Sequence, residues 1–177
     1  MTDEAEAEAK RREAVALEIL RGGQRRLEAQ HQAADRLRGR LWNVVQIALP
    51  LAIAVVTAGL AVMFGAVRSA HPGLGLGAIG VAVMFLAPII AALQGLAPEE
   101  WREPGMAPGQ IDFEIYATVP LSDAYRSFAT GQQQAYDFNE PKRARIADRL
   151  ASATLFLVTG IALAMLWVAA AITILAA

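Results

Sequence analysis

Three long stretches of the chain carry no charged residue: 27 positions from Leu41 to Val67, 30 from Ser69 to Pro98, and 28 from Leu150 to Ala177. A bilayer core about 30 Å thick is crossed by about 20 apolar residues in helical form, so each stretch predicts a span. In hydrocarbon the backbone must satisfy its own hydrogen bonds, which makes the spans helices. Barrel strands would be shorter and would alternate in polarity. The competing reading is a soluble protein that buries the same residues in one three-helix core.

The polar stretches between these runs have periods of their own. The segment "DEAEAEAKRREAVALEILR" is rich in Ala, Glu, Arg and Leu, with acids leading and bases following, as the helix dipole favours. Val15, Ile19 and Leu20 give it a narrow apolar stripe. That stripe reads either as a thin packing seam on a solvated helix or as coiled-coil pairing with another copy. Gly22-Gly23 is expected to break or bend the helix. A second helix from about Gln24, carrying Leu27, Ala34 and Leu37, should run into the first span. The stretch "PEEWREPGMAPGQIDFEIYATV" reads as a loop with a short extended piece at "IDFEIYATV". Helical spacing returns after Pro120 with Leu121, Ala124, Tyr125, Phe128, Gln132, Ala135 and Tyr136 on one face, and Ser122 or the residues just before it as the cap. Pro141 should kink the chain or open a new helix, with Asn139 as its cap.

The expected organisation follows: a charged helical segment at 1–40, a transmembrane helix at 41–67, a short outer turn at 68–73, a second transmembrane helix at 74–97, a Pro/Gly loop at 98–119, amphipathic helices at 120–149 and a third transmembrane helix at 150–177. The fold class is all-α, an integral membrane protein with three transmembrane helices and a small cytoplasmic helical stalk. The two polar segments are each too short for an adequate core alone, so they are expected to pack together beneath the membrane.

Composition agrees. Hydrophobic residues make up 55% of the chain and charged ones 19%, with a mean hydropathy of +0.37, which fits an apolar set segregated into spans. Arg68 is the one basic residue between the first two runs, whereas nine Lys or Arg precede the first span and six lie between the second and third. The positive-inside rule therefore places the N-terminus and the middle segment in the cytoplasm and the C-terminus outside. The expected location is the bacterial inner membrane, multi-pass. The charge-rich residues ahead of the first span do not resemble a secretory signal. A net charge of −1 gives no bulk electrostatic case for nucleic acid. The chain has no cysteine, which excludes disulfides and thiolate metal sites.

Candidate chemistry is sparse. His31 and His71 are expected on opposite sides of the membrane and cannot share a metal. "GLGLGAIG" precedes no lysine and lies in a span, so it reads as helix packing, with Gly73 and Gly77 at GxxxG spacing. Asn43 and Gln46 share a helical face with Pro50; they either line a wet seam or hydrogen-bond between helices. The spans hold no ionisable residue at depth, which a proton pump or ion-coupled transporter ordinarily shows. Trp42, Lys142, Arg143, Arg145 and Arg149 are the expected membrane-interface anchors, the basic run "KRARIADRL" holding the third span against anionic lipid headgroups. Catalytic, cofactor-binding and metal-binding residues are all expected to be absent, and the protein is read as non-enzymatic.

The order of parts is suggestive: a charged N-terminal helix, two close spans, a Trp/Pro/Gly loop "PEEWREPGMAPG", an amphipathic helix, then "FNEPKRARIADRLASA" and a final span. This layout resembles small bacterial transmembrane effectors of antiphage systems, of the Pycsar transmembrane-effector and SLATT type. The resemblance covers most of the chain by layout, lacks the "KA" helix start of the Pycsar-type pattern, and transfers no site residue. It implies a self-associating membrane protein that answers a cytoplasmic signal, such as a nucleotide, and impairs the membrane. The partners expected are membrane lipids and further copies of the chain, with a nucleotide signal or partner protein open. The alternative is an accessory subunit that scaffolds a partner enzyme or transporter.

Overall fold

A computed structural model describes residues 3–64, 72–102 and 119–176. These residues form three helices: α1 (Asp3–Phe64), α2 (Pro72–Leu96) and α3 (Leu121–Ala176). The described residues contain no strand. The chain is all-α, and each helix includes a stretch long and apolar enough to cross a membrane. The expected turn at 68–73, the loop at 98–119 and its extended piece at 111–119 fall largely outside the described residues, and His71 and Arg68 lie outside them.

Two expectations are corrected. Gly22-Gly23 does not break α1, which runs unbroken through 62 residues. No new helix opens at Pro141; it lies inside the 56-residue α3. Pro141 is exposed, so the Asp137 carbonyl it leaves unpaired can turn to water. The start of α3 is set by the carbonyl of Pro120, which accepts from Asp123 N at 2.9 Å and Ala124 N at 3.2 Å. Asp123 in that first turn complements the helix dipole. On the exposed face of α1, Glu6–Lys10 and Glu8–Arg12 pair at helical spacing, at 2.8 and 2.5 Å.

The helices divide into two compact units. The apolar unit comprises Arg36–Pro98 and Arg145–Ala177. In it, contacts between α1 and α2 move in opposite directions along the chain: Leu41 meets Gly95, while Gly59 meets Ala78. The same holds for α2 and α3, where Arg149 meets Gly95, Gly160 meets Phe85 and Trp167 meets Gly77. Both pairs are therefore antiparallel. Small residues set the approach: a Cβ built on Gly59 would fall 2.6 Å from Ala78 Cβ, and one on Gly95 would fall 2.6 Å from Leu41 Cδ1. Phe85, fully buried, fills the space left at Gly160. In α2, 39% of the apolar window is buried, against 17% in α1 and 11% in α3, so α2 is the central helix of this unit. Trp167 Nε1 donates to the Leu74 carbonyl at 3.0 Å.

The polar unit comprises Met1–Asp35 and Glu99–Ala144. Here α1 and α3 run parallel: Gly23 meets Gln132, and seven residues on Gln30 meets Tyr136 and Glu140. Leu27, Ala34, Ala124 and Ala135 are buried, together with three polar side chains, Gln30, Gln132 and Asn139.

Candidate functional site

The densest set of tertiary hydrogen bonds in the polar unit surrounds Asn139. This residue follows Gln132 and Ala135 on the buried stripe of α3 and is wholly inaccessible. Its Oδ1 accepts from the Arg102 backbone N–H at 3.0 Å, and its Nδ2 donates to the Arg102 carbonyl at 2.8 Å. One side-chain amide thus satisfies both backbone groups of one residue, as a neighbouring strand would. His31, from α1, lies with Nε2 3.1 Å from the same carbonyl and 3.4 Å from Asn139 Nδ2. A carbonyl only accepts, so this bond needs the proton on Nε2.

The flanking residues extend the fastening. Trp101 meets the His31 ring edge-on, with centroids 5.4 Å apart and planes at 67°. Arg102 places its guanidinium 4.2 Å from the centre of the Phe138 ring, and Lys142 Nζ lies 3.7 Å from the same ring. Lys142 also donates to the Glu100 carbonyl. On the α1 side, Gln30 Nε2 donates to the Tyr136 carbonyl at 3.1 Å and to Glu140 Oε2 at 3.0 Å. Arg143 donates to Glu140 through Nε at 3.1 Å and through Nη2 at 2.5 Å. The Arg143 hydrogen bond holds the Glu140 carboxyl below its ordinary range, partial burial opposes this, and the Gln30 bond assists it. The same pairing raises Arg143, again against burial. Together these contacts tie the 99–102 segment to α3 and to His31 of α1.

Further along the same two helices the pairing opens into a trough. A cavity of about 240 Å³ is lined by Ile19, Gly23, Arg26, Gln132 and Tyr136, with Arg26 5.4 Å over the Tyr136 ring. It adjoins a wider groove of about 1380 Å³ between α1, from Ala5 to Ile19, and the start of α3. Among the described residues no group of three or more His, Cys, Asp or Glu side chains is placed to hold a metal.

The residues expected to act as anchors separate. Lys142 and Arg143 belong to the fastening just described, whereas Arg145 and Arg149 are exposed in the apolar unit, where Trp42 is half exposed. The expected packing residues also separate. Gly77 backs onto Trp167, but a Cβ on Gly73 would meet open space. Asn43 and Gln46 are exposed, so they do not pack between the helices of this bundle. Asn139 is no helix cap, because its side chain is spent on Arg102. Gln30, His31, Arg102 and Asn139 were not singled out as a group by the sequence. The signal is their spacing: Gln30 falls between Leu27 and Ala34, and Asn139 continues the stripe through Phe128, Gln132 and Ala135. Polar side chains at core positions call for dedicated partners.

No protein-family model matches the chain, and comparison with curated proteins and with solved structures likewise returns no match.

Proposed function

We propose that this chain is a multi-pass protein of the bacterial inner membrane, with a cytoplasmic N-terminus, that associates with further copies of itself and acts on the membrane without catalysing a reaction. The observation that carries the reading is the apolar surface of the bundle of α1, α2 and α3. Ile47, Leu86, Leu155, Val158, Leu166 and Ile172 are each at least half exposed. Soluble monomers rarely show apolar patches beyond a few hundred Å², whereas lipid accepts such a surface. The asymmetry of Lys and Arg supports the orientation. The layout supports a role as a membrane-perturbing antiviral defence effector that responds to a cytoplasmic signal, a nucleotide or a protein.

The test is membrane potential, read with a voltage-sensitive dye in bacteria during induction. A variant lacking residues 1–38, at matched membrane abundance, runs alongside. The expected result is depolarisation by the full chain. A protein that stays monomeric in lipid and leaves the potential unchanged at high abundance overturns the reading. The groove between α1 and the start of α3 favours a second reading, an accessory subunit that holds a partner protein; stoichiometric co-purification of one protein without toxicity would select it.

A further inference from the structure

Helical geometry resolves the exposed faces of α1. Its bundle-facing stripe is Leu41, Val45, Ala48, Ala52 and Gly59, all buried. Gly39, Asn43, Gln46, Pro50, Ile53 and Thr57 form a second stripe, spaced alternately by four and three residues, and all six are exposed. At about 100° per residue the two stripes lie roughly 150–160° apart, on opposite sides of the helix. Every Asn, Gln and Thr of α1 beyond Arg40 is on the second stripe.

Polar side chains in a membrane helix usually face protein or a wet cavity, because hydrocarbon offers no partner. Thr57 meets this need within its own helix, donating to the Ile53 carbonyl at 2.8 Å. Asn43 and Gln46 have no hydrogen-bond partner among the described residues. Pro50 adds a further acceptor, since it has no N–H to offer the Gln46 carbonyl. The stripe thus presents two amides and an open carbonyl on the face where the chain supplies nothing.

We infer that this face is covered by the same face of α1 from a second copy. The inference rests on the membrane reading above and names the surface through which copies meet. Two copies inserted with the same topology bring their α1 helices together parallel, which sets like residues opposite one another. A carboxamide both donates and accepts, so Asn43 and Gln46 are each complementary to themselves. Gly39 lets the two backbones approach at the polar end of the stripe. The alternating four- and three-residue spacing is that of a left-handed helix pair.

The absence of cysteine makes the test direct. Single variants Ile53→Cys and Gln46→Cys, on the stripe, are reconstituted in liposomes beside Ile47→Cys and Val56→Cys on other exposed faces of α1 and Leu166→Cys on α3. Oxidative cross-linking is expected to join the stripe variants at least tenfold faster than the others. The double variant Asn43→Leu with Gln46→Leu, with the Ile53→Cys reporter, is expected to raise the dissociation constant about tenfold. Equal cross-linking on all faces overturns the inference. So does rapid labelling of Gln46→Cys by a charged, membrane-impermeant thiol reagent without cross-linking, which would give the stripe to water. Mass measurement in nanodiscs separates the two levels of failure. Oligomers that cross-link elsewhere refute this surface alone, and monomers under all conditions refute self-association with it.

Discussion

Replacing Asn139 by Ala removes both hydrogen bonds that fasten Arg102 to α3. A protein hydrogen bond contributes about 1 kcal/mol net, and a buried group left unpaired costs about 1–3 kcal/mol. Arg102 is exposed as a residue, so water can reach part of what is freed, and the low end applies: about 2 kcal/mol for the two bonds together. Ala is the better helix former, by about 0.6 kcal/mol, and α3 gains that amount. The loss therefore concentrates in the 99–102 segment while the helix itself improves. Amide hydrogen exchange read by mass spectrometry separates the two. Exchange at the Arg102 amide should quicken roughly 30-fold, the factor equivalent to 2 kcal/mol. The amides of α3 near Thr130 should be unchanged or slightly slower. Thr130→Ala, which removes only an exposed bond to the Arg126 carbonyl, serves as control. Unchanged exchange at Arg102 in the Asn139→Ala protein would show that the amide pairing does not hold the segment.

Other substitutions test other contacts. Gly59→Val forces α1 away from Ala78 and should cost about 1–3 kcal/mol by overpacking, measured as a lower midpoint of thermal unfolding in detergent. Gly22→Ala, where a Cβ meets open space, should raise stability by about 0.5–1 kcal/mol, whereas Gly23→Ala meets Gln132 and should not. Trp167→Phe loses the bond to the Leu74 carbonyl and should lower the midpoint by the equivalent of about 1 kcal/mol. Because the folded-state pKa of Glu140 is depressed, its contribution is complete above the unfolded carboxylate range and is lost as pH falls through the folded value. A melting series from pH 6 to pH 3 should show a small acid-side loss, no more than about 0.5 kcal/mol for so exposed a pair, that Glu140→Gln abolishes.

Long charge-free runs left little freedom, and each of α1, α2 and α3 carries the described part of one. What the sequence hid were places where a local rule met a tertiary need. A helical glycine costs about 1 kcal/mol relative to Ala, which argued for a break at Gly22-Gly23. At Gly23, however, the missing side chain is the space that Gln132 occupies. Asn139 followed by Pro141 has the form of a helix start. The Asn side chain instead pairs with Arg102, whose place beside it depends on how the chain returns from α2, something no local window contains. Gln30 belongs to a residue type that is usually exposed. Its stripe position, between Leu27 and Ala34, outweighed its polarity.

The threonines of the apolar stretches carry a consequence for movement. Thr57, Thr154, Thr159 and Thr173 each turn their hydroxyl to the carbonyl four residues earlier in their own helix, at 2.8–2.9 Å. Their polarity is consumed internally, and none of these bonds links one helix to another. Within the charge-free stretches, the described hydrogen bond that crosses from helix to helix is the one from Trp167 to Leu74. Among the described residues, what else holds those stretches together is fit between surfaces, keyed where Gly59 admits Ala78, Gly95 admits Leu41 and Gly160 admits Phe85. The register of the bundle is therefore held by steric keys and one polar latch, and a slide of one turn would carry Phe85 off the space at Gly160 and against a side chain.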